Sequence, residues 1–289
     1  MERRDDADNA GVSERFSEGL SARWTRTTPN GGALEIEPTG LRLALPDGAL
    51  AGVYTDAQID DYGRLPLSRF PWRPPLHLEL RARASHSAHP AREMPPERLD
   101  DQRWLRGTAG FGFWNYPFSL TGAVVRLPDA IWFFAASPPS NMALMPGSPG
   151  WGWKAQVVHA RRPGAMLAAL PTAAAVAWAR VSRREQAAAQ WVQRLSGTTE
   201  AALEADLREW HTYTIDWRTE QARFAVDGEE ALSVPNPPPG PLGFVAWVDN
   251  QYAIATPRGQ FRFDTLATGP EWLEIESLRI SPGADGAQT

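Results

Sequence analysis

Asp249, Asn250, Gln251 and Tyr252 directly follow the apolar run Gly243-Phe244-Val245-Ala246-Trp247-Val248. A carboxylic acid at the end of an apolar strand can donate a proton if its surroundings keep it neutral, while neighbouring amide and phenol groups can orient a ligand. Asp249 is therefore the candidate catalytic acid. Trp114, Trp132 and Trp247 fall on or beside predicted strands and could supply ring faces for stacking. With Asn115, Asn250, Tyr252 and His211 they form the candidate ligand-binding set. His211 and His159 could each add a proton donor near neutral pH. The bland readings are a plain Asp-Asn turn, core packing for each Trp and a satisfied core role for each His. Strict strand alternation would also put Trp114 and Asn115 on opposite faces.

Other patterns carry less. Glu274 and Glu276 alternate with Leu273 and Ile275, which places both carboxylates on one face of a terminal strand, expected to be its solvent face. His86 and His89 stand in a charged loop and do not make a zinc site by spacing alone. Gly150-Trp151-Gly152-Trp153-Lys154-Ala155 fits a loose dinucleotide pattern, but Pro/Gly-rich sequence precedes it where a strand is required. Neither Gly-x-Ser-x-Gly nor His-Glu-x-x-His occurs. No metal and no cofactor are expected.

Hydrophobic residues make up 43% of the 289, including 13 Trp, enough for a large core. The net charge of −5 disfavours a general nucleic-acid binder. Without Cys there is neither a disulfide framework nor thiolate chemistry. The opening Met1-Glu2-Arg3-Arg4-Asp5-Asp6 carries no apolar signal segment, so a cytoplasmic location is expected.

These side chains need strands to position them. Leu41, Leu43 and Leu45 alternate with polar or small residues, as do Leu76, Leu78 and Leu80. Further short strands are predicted at 110–114, 122–126, 130–135, 153–158, 212–217, 222–227, 242–248, 260–264 and 272–280, separated by Pro- and Gly-rich turns. Such a series means an antiparallel sandwich or barrel. Residues 1–15 and 281–289 read as loose tails around a single domain, 16–280. Residues 172–208 read as a helical insertion, with a second short helix at Glu200–Arg208. Six Arg against one acid between Arg161 and Leu195 make the insertion basic. It is expected to cover the sandwich end, to act as a lid, or to touch an anionic membrane.

The hairpin Trp210-His211-Thr212-Tyr213-Thr214-Ile215-Asp216-Trp217 with Val226-Asp227-Gly228 resembles the late hairpin of family-16 glycoside hydrolases and their concanavalin-like relatives. Phe16-Ser17-Glu18-Gly19-Leu20 with Arg23-Trp24 is similar to that family's opening strand. Pro75–Arg83, Gly110–Asn115 and Leu273–Ile280 are similar to three later strands, the second of which carries an aromatic floor of the sugar cleft. The resemblance implies a two-sheet antiparallel jelly-roll sandwich. In those hydrolases the next strand carries Glu-x-Asp-x-(x)-Glu. Here it reads Asp129-Ala130-Ile131-Trp132-Phe133-Phe134-Ala135-Ala136, and no carboxylate follows Asp129. Retaining hydrolysis needs two carboxyls about 5–5.5 Å apart, so the family's reaction is not expected. The leading expectation is non-hydrolytic binding of a carbohydrate or small amphipathic ligand in a Trp-lined cleft. The alternatives are a cyclase or isomerase acting on a hydrophobic small molecule, and a glycosidase with relocated carboxylates.

Overall fold

The computed structural model describes residues 11–91, 103–115, 128–143, 145, 148–160, 197–255 and 261–283. Its strands are β1 Val12–Arg15, β2 Thr25–Thr27, β3 Ala33–Glu37, β4 Gly40–Leu45, β5 Asp56–Asp60, β6 Leu76–Ala84, β7 Thr108–Trp114, β8 Asp129–Ala136, β9 Asn141–Met142, β10 Gly152–His159, β11 Thr199–Ala202, β12 His211–Trp217, β13 Gln221–Val226, β14 Glu229–Pro235, β15 Gly243–Asp249, β16 Gln251–Ala255, β17 Phe261–Thr265 and β18 Glu271–Pro282. They form a two-sheet antiparallel sandwich of jelly-roll type. The first sheet runs β14-β13-β12-β6-β18-β4-β3, with β1 also on β18, and the second runs β11-β10-β8-β7-β15-β5-β2. A small third sheet, β17-β16-β9, joins β9 and β16 in parallel.

The first sheet has one dry face and one wet face. On β6, Leu76, Leu78, Leu80, Ala82 and Ala84 are buried, while Glu79 between them is exposed. This clean alternation is what an antiparallel sheet with one solvated side requires. On β12, Tyr213, Ile215 and Trp217 point inward to meet Phe111 and Phe113 of β7 and Phe133 of β8. Tyr213 stands 5.0 Å from both Phe111 and Phe133, ring centre to ring centre. Asp227 and Gly228, both at positive φ, form the two-residue turn between β13 and β14, where such a turn matches the strand twist.

Several expectations are corrected. Residues 12–15 are not tail but strand β1, paired with β18, and β18 itself continues to Pro282. The predicted helix Glu200–Arg208 is strand β11 followed by a turn. Pairing with β10 overrides its helix propensity, because Glu200 lies opposite Gln156 and completes a buried polar set. The rest of the expected helical insertion, with its basic Arg cluster and membrane contact, and the strand at 122–126 lie outside the described residues. No helix among the described residues is long and apolar enough to cross a membrane.

Glu274 and Glu276 do not share a solvent face. A bulge falls between Ile275 and Ser277 and puts Glu276 out of register. Glu276 is exposed and pairs with Arg81 at 2.7 Å. Glu274 is fully buried, takes the Thr39 hydroxyl, and accepts hydrogen bonds from Arg83 Nε and Nη2 at 3.2 and 3.1 Å and from Arg42 Nη2 at 3.4 Å. Glu274→Ala takes the carboxylate from Arg83 and leaves Arg42 only Glu37, and should cost about 2–4 kcal/mol, toward the lower end because both Arg side chains reach solvent. Glu276→Ala should cost less than about 1 kcal/mol. Urea unfolding of the two variants checks this, and equal midpoints would refute it.

Candidate functional site

The register of the second sheet builds its outer face row by row. Asp60, Val245, Gly112, Trp132, Gln156 and Glu200 stand in one row across β5, β15, β7, β8, β10 and β11. Gln58, Trp247, Gly110, Phe134 and Lys154 form the next, and Asp56, Asp249, Thr108 and Ala136 the third. All of these alternate with the core residues of the same strands and point away from the first sheet. Trp132 thus lies 5.3 Å from Trp247, 5.6 Å from Phe134 and 5.9 Å from Trp114, centre to centre. Tyr62 and Phe70, stacked at 4.8 Å on the loop after β5, pack against the same cluster, as does Met142.

Two glycines on β7 let neighbouring groups approach closely. A Cβ on Gly110 would lie 2.7 Å from the Trp247 ring, and one on Gly112 would lie 2.7 Å from Trp132 Cβ. Gly112 also has a φ of +145°, outside the range that other residues readily adopt. Gly110 thus lets the Trp247 ring lie over β7, while Gly112 lets the backbones of β7 and β8 approach. Each indole N–H is already used. Trp114 donates to Tyr62 Oη at 2.8 Å, Trp132 to Gln156 Oε1 at 2.8 Å and Trp247 to Thr108 Oγ1 at 2.9 Å. Trp114 and Trp132 are half-buried, while Trp247 retains 8% exposure and forms the floor. The result is an apolar aromatic cluster on the outer face of the second sheet, the candidate ligand trough.

Carboxylates lie on both flanks. Asp249 is buried and accepts hydrogen bonds at Oδ1 from Thr108 N, Thr108 Oγ1 and Gln251 N at 3.2, 2.7 and 3.1 Å. Burial pushes its acid up to about 7 against those stabilising bonds. Asp56 lies directly opposite on β5, and burial first, then repulsion from Asp249, raise its acid well above the usual carboxylate range. Asp56 Oδ1 is buried with no hydrogen-bond partner. Asp60, buried on the same strand, is raised by burial and held by Gly63 N and Gln58 Nε2 at 2.6 and 3.1 Å. On the opposite flank Lys154 Nζ meets Glu200 Oε1 at 2.7 Å, and Gln156 Nε2 donates to Glu200 Oε2 at 2.6 Å. Lys154 also holds Ser148 and the carbonyl of Pro149, so its ammonium is fully occupied although burial lowers its pKa.

The other candidates lie elsewhere or serve the scaffold. Asn250 is fully buried, and its side chain bonds only backbone: Oδ1 accepts from Thr55 N at 2.9 Å, and Nδ2 donates to the carbonyls of Val53 and Leu266, both at 2.9 Å. It clamps three segments together. Asn115 is also buried, and its Oδ1 accepts from Asp129 N at 3.1 Å, closing the end of β7 against β8. Tyr252 is buried in the small sheet, with Arg262 5.6 Å from its ring centre. His211 belongs to the first sheet, where it pairs with Asp227 beside Tyr213, and the sandwich core separates it from the trough. His159 pairs with Asp129 at 3.0 Å. Sequence reasoning missed Asp56, Asp60, Tyr62, Phe70, Gln156 and Glu200. The alternation Asp56-Ala57-Gln58-Ile59-Asp60 was the available signal for β5.

No protein-family model matches the sequence, and no curated protein matches it either. Solved structures match in fold. A GlcNAcα1-4Gal-releasing endo-β-galactosidase from Clostridium perfringens is similar with a TM-score of 0.52 at 12% identity, over 100% of this chain and 66% of that one. The κ-carrageenase of Pseudoalteromonas carrageenovora, in complex with a carrageenan oligotetrasaccharide, is similar with a TM-score of 0.50 at 12% identity, over 95% of this chain and 93% of that one. The chain therefore shares the jelly-roll architecture of these glycoside-hydrolase structures. At such identities the likeness concerns the fold.

An acid raised to about 7 binds its proton more tightly in the folded state than in the unfolded chain, where Asp titrates near ~3.9. Folding stability therefore falls as pH rises from about 4 to 7 and stays low above that. Asp249→Asn keeps an oxygen for Thr108 and Gln251 and removes the repulsion with Asp56. It should melt roughly 2–4 °C higher than the wild type at pH 8, with that gain vanishing near pH 4. Parallel melting profiles across this range would show Asp249 to be ionised in the native state throughout.

Proposed function

We infer that the protein binds a saccharide unit or another small amphipathic molecule on the outer face of its second sheet, without hydrolysing it. The observation that carries this is the cluster of Trp114, Trp132 and Trp247, whose indole N–H groups are bonded within the protein and of which Trp114 and Trp132 stay partly exposed. A trough of this kind binds by burying apolar area, at roughly 25 cal/mol per Å². The fold is one that carbohydrate-active proteins use, which supports a sugar-sized ligand.

The outward residues of the two middle strands support non-hydrolytic binding. They are Thr108, Gly110, Gly112 and Trp114 on β7, and Ala130, Trp132, Phe134 and Ala136 on β8. None can protonate a leaving group or attack an anomeric carbon. Glu200 lies two strands from Trp132, about 10 Å away at the usual strand spacing. No reducing sugar should be released from mixed-linkage glucan, laminarin, agarose, carrageenan or xyloglucan, and robust release from any of them would overturn the reading.

A second reading, an enzyme using Asp249 as general acid on a hydrophobic ligand, is favoured by the opposed pair Asp56 and Asp249. Burial raises both pKa values, which keeps a proton available near neutral pH. Abolished turnover with retained binding in Asp249→Asn would establish it.

The trough itself is tested by truncation. Trp132→Ala should weaken ligand binding about 100-fold. Trp247→Ala removes the floor and should destabilise by about 3–5 kcal/mol. The measurements are thermal melts together with tryptophan-fluorescence titrations against saccharide and hydrophobic-ligand panels. A Trp132 variant that loses as much stability as Trp247→Ala, with no change in binding, would assign both residues to packing.

A further inference from the structure

We propose that the trough takes a compact quaternary ammonium cation of the choline type, an inference that rests on the trough being the binding face. The rings stand at angles to one another and do not form a flat platform. Trp114 tilts 37° from Trp132, Trp132 tilts 47° from Trp247, and Tyr62 meets Trp114 at 60°. A pyranose stacks best on one flat face, while a tetrahedral alkylammonium presents methyl groups in several directions and suits walls at an angle. Because all three indole N–H groups donate inward, the rings offer only their electron-rich faces. Those faces attract a cation and cannot read a hydroxyl.

The polar groups around the rings agree. A sugar site needs uncommitted donors and acceptors for its hydroxyls. Here Gln156, Glu200, Lys154, Thr108 and Asp249 are bonded to one another or to backbone. Among the outward side chains of the second sheet's described strands, Lys154 is the only cation, and Glu200 neutralises it. Asp56, Asp60 and Asp249 remain along the opposite flank without a cationic partner on that face. Arg64 and Arg69, on the loop between Tyr62 and Phe70, are exposed. Three carboxyls side by side on one flank favour the approach of a cation over that of an anion. Acidic flanks also discriminate among ammonium ligands. Choline, with no anionic group, fits better than glycine betaine, whose carboxylate would face Asp60 and Asp249.

The test is tryptophan-fluorescence titration of the full chain with choline, with its neutral isostere 3,3-dimethylbutan-1-ol, with glycine betaine, with a saccharide panel and with phosphatidylcholine vesicles. Choline should quench saturably, about tenfold more tightly than the neutral isostere. Trp132→Ala should abolish the response. Asp60→Asn, whose new amide can still meet Gln58 after a side-chain flip, should weaken choline severalfold and leave the isostere unchanged. Response to phosphatidylcholine vesicles that Trp132→Ala removes would support the same chemistry and identify a lipid headgroup as its source. A neutral isostere that binds as well as choline would overturn the cation proposal. So would silence toward every ammonium compound. In either case a saccharide or isostere response that Trp132→Ala removes would leave the trough standing as the binding face.

Discussion

Trp132, Trp247 and Phe134 close the outer face of the second sheet much as Phe111, Phe133 and Phe244 close its inner one. A sheet dry on both sides is unusual in an antiparallel sandwich, where one face normally meets water. The central strands β7 and β8 show it in their burial, with nearly every residue from Thr108 to Phe113 and from Asp129 to Ala136 enclosed. Once that face is dry, every polar group on it must find a partner inside the protein or change its protonation. Lys154, Gln156, Glu200 and the Trp132 indole do the first, in one connected chain. Asp56 and Asp249 do the second, because burial raises both acids and repulsion from Asp249 adds to it at Asp56.

The same constraint explains the glycines. A side chain at 110 would push the Trp247 indole away from β7, and one at 112 would clash with the backbone of β8. Residues that pack and residues that would bind are therefore the same set, seen at different depths. Trp247 sits lowest and is tied to Asp249 through Thr108, so the floor of the trough and its acid share one hydroxyl. A change of charge at Asp249 acts on the position of an indole, not only on proton supply.

Much of the scaffold was legible in the sequence, because it rests on period-two alternation that needs no knowledge of partners. Leu76–Leu80, Tyr213–Trp217 and Leu41–Leu45 announced their buried faces directly. The bulge in β18 was also written there, since its buried apolar positions change parity from Leu273 and Ile275 to Leu278 and Ile280. That parity change is why Glu274 and Glu276 part company. The neighbourhood of Trp114, Trp132 and Trp247 could be anticipated from strand order. The partners of Trp132 and Trp247 could not, because Gln156, Glu200 and Thr108 reach them through pairing between strands distant in sequence. Glu200 was misassigned for a local reason: its neighbours favour helix, and only the edge of β10 makes it a strand.

Asn250 shows the limit of reading function from composition. Its place beside Asp249, at the end of an apolar strand, suits a ligand-orienting amide. Its depth instead commits both ends of that amide to the backbone of residues 53, 55 and 266. A buried amide that joins three chain segments loses more by turning toward a ligand than one hydrogen bond could return. The polar chemistry at this end of the sheet is thus split between neighbours. Asn250 fixes where β15 ends, and that fixed end holds Asp249 against Thr108 and Asp56. Any proton chemistry or cation attraction at the trough depends on a residue that takes no direct part in it.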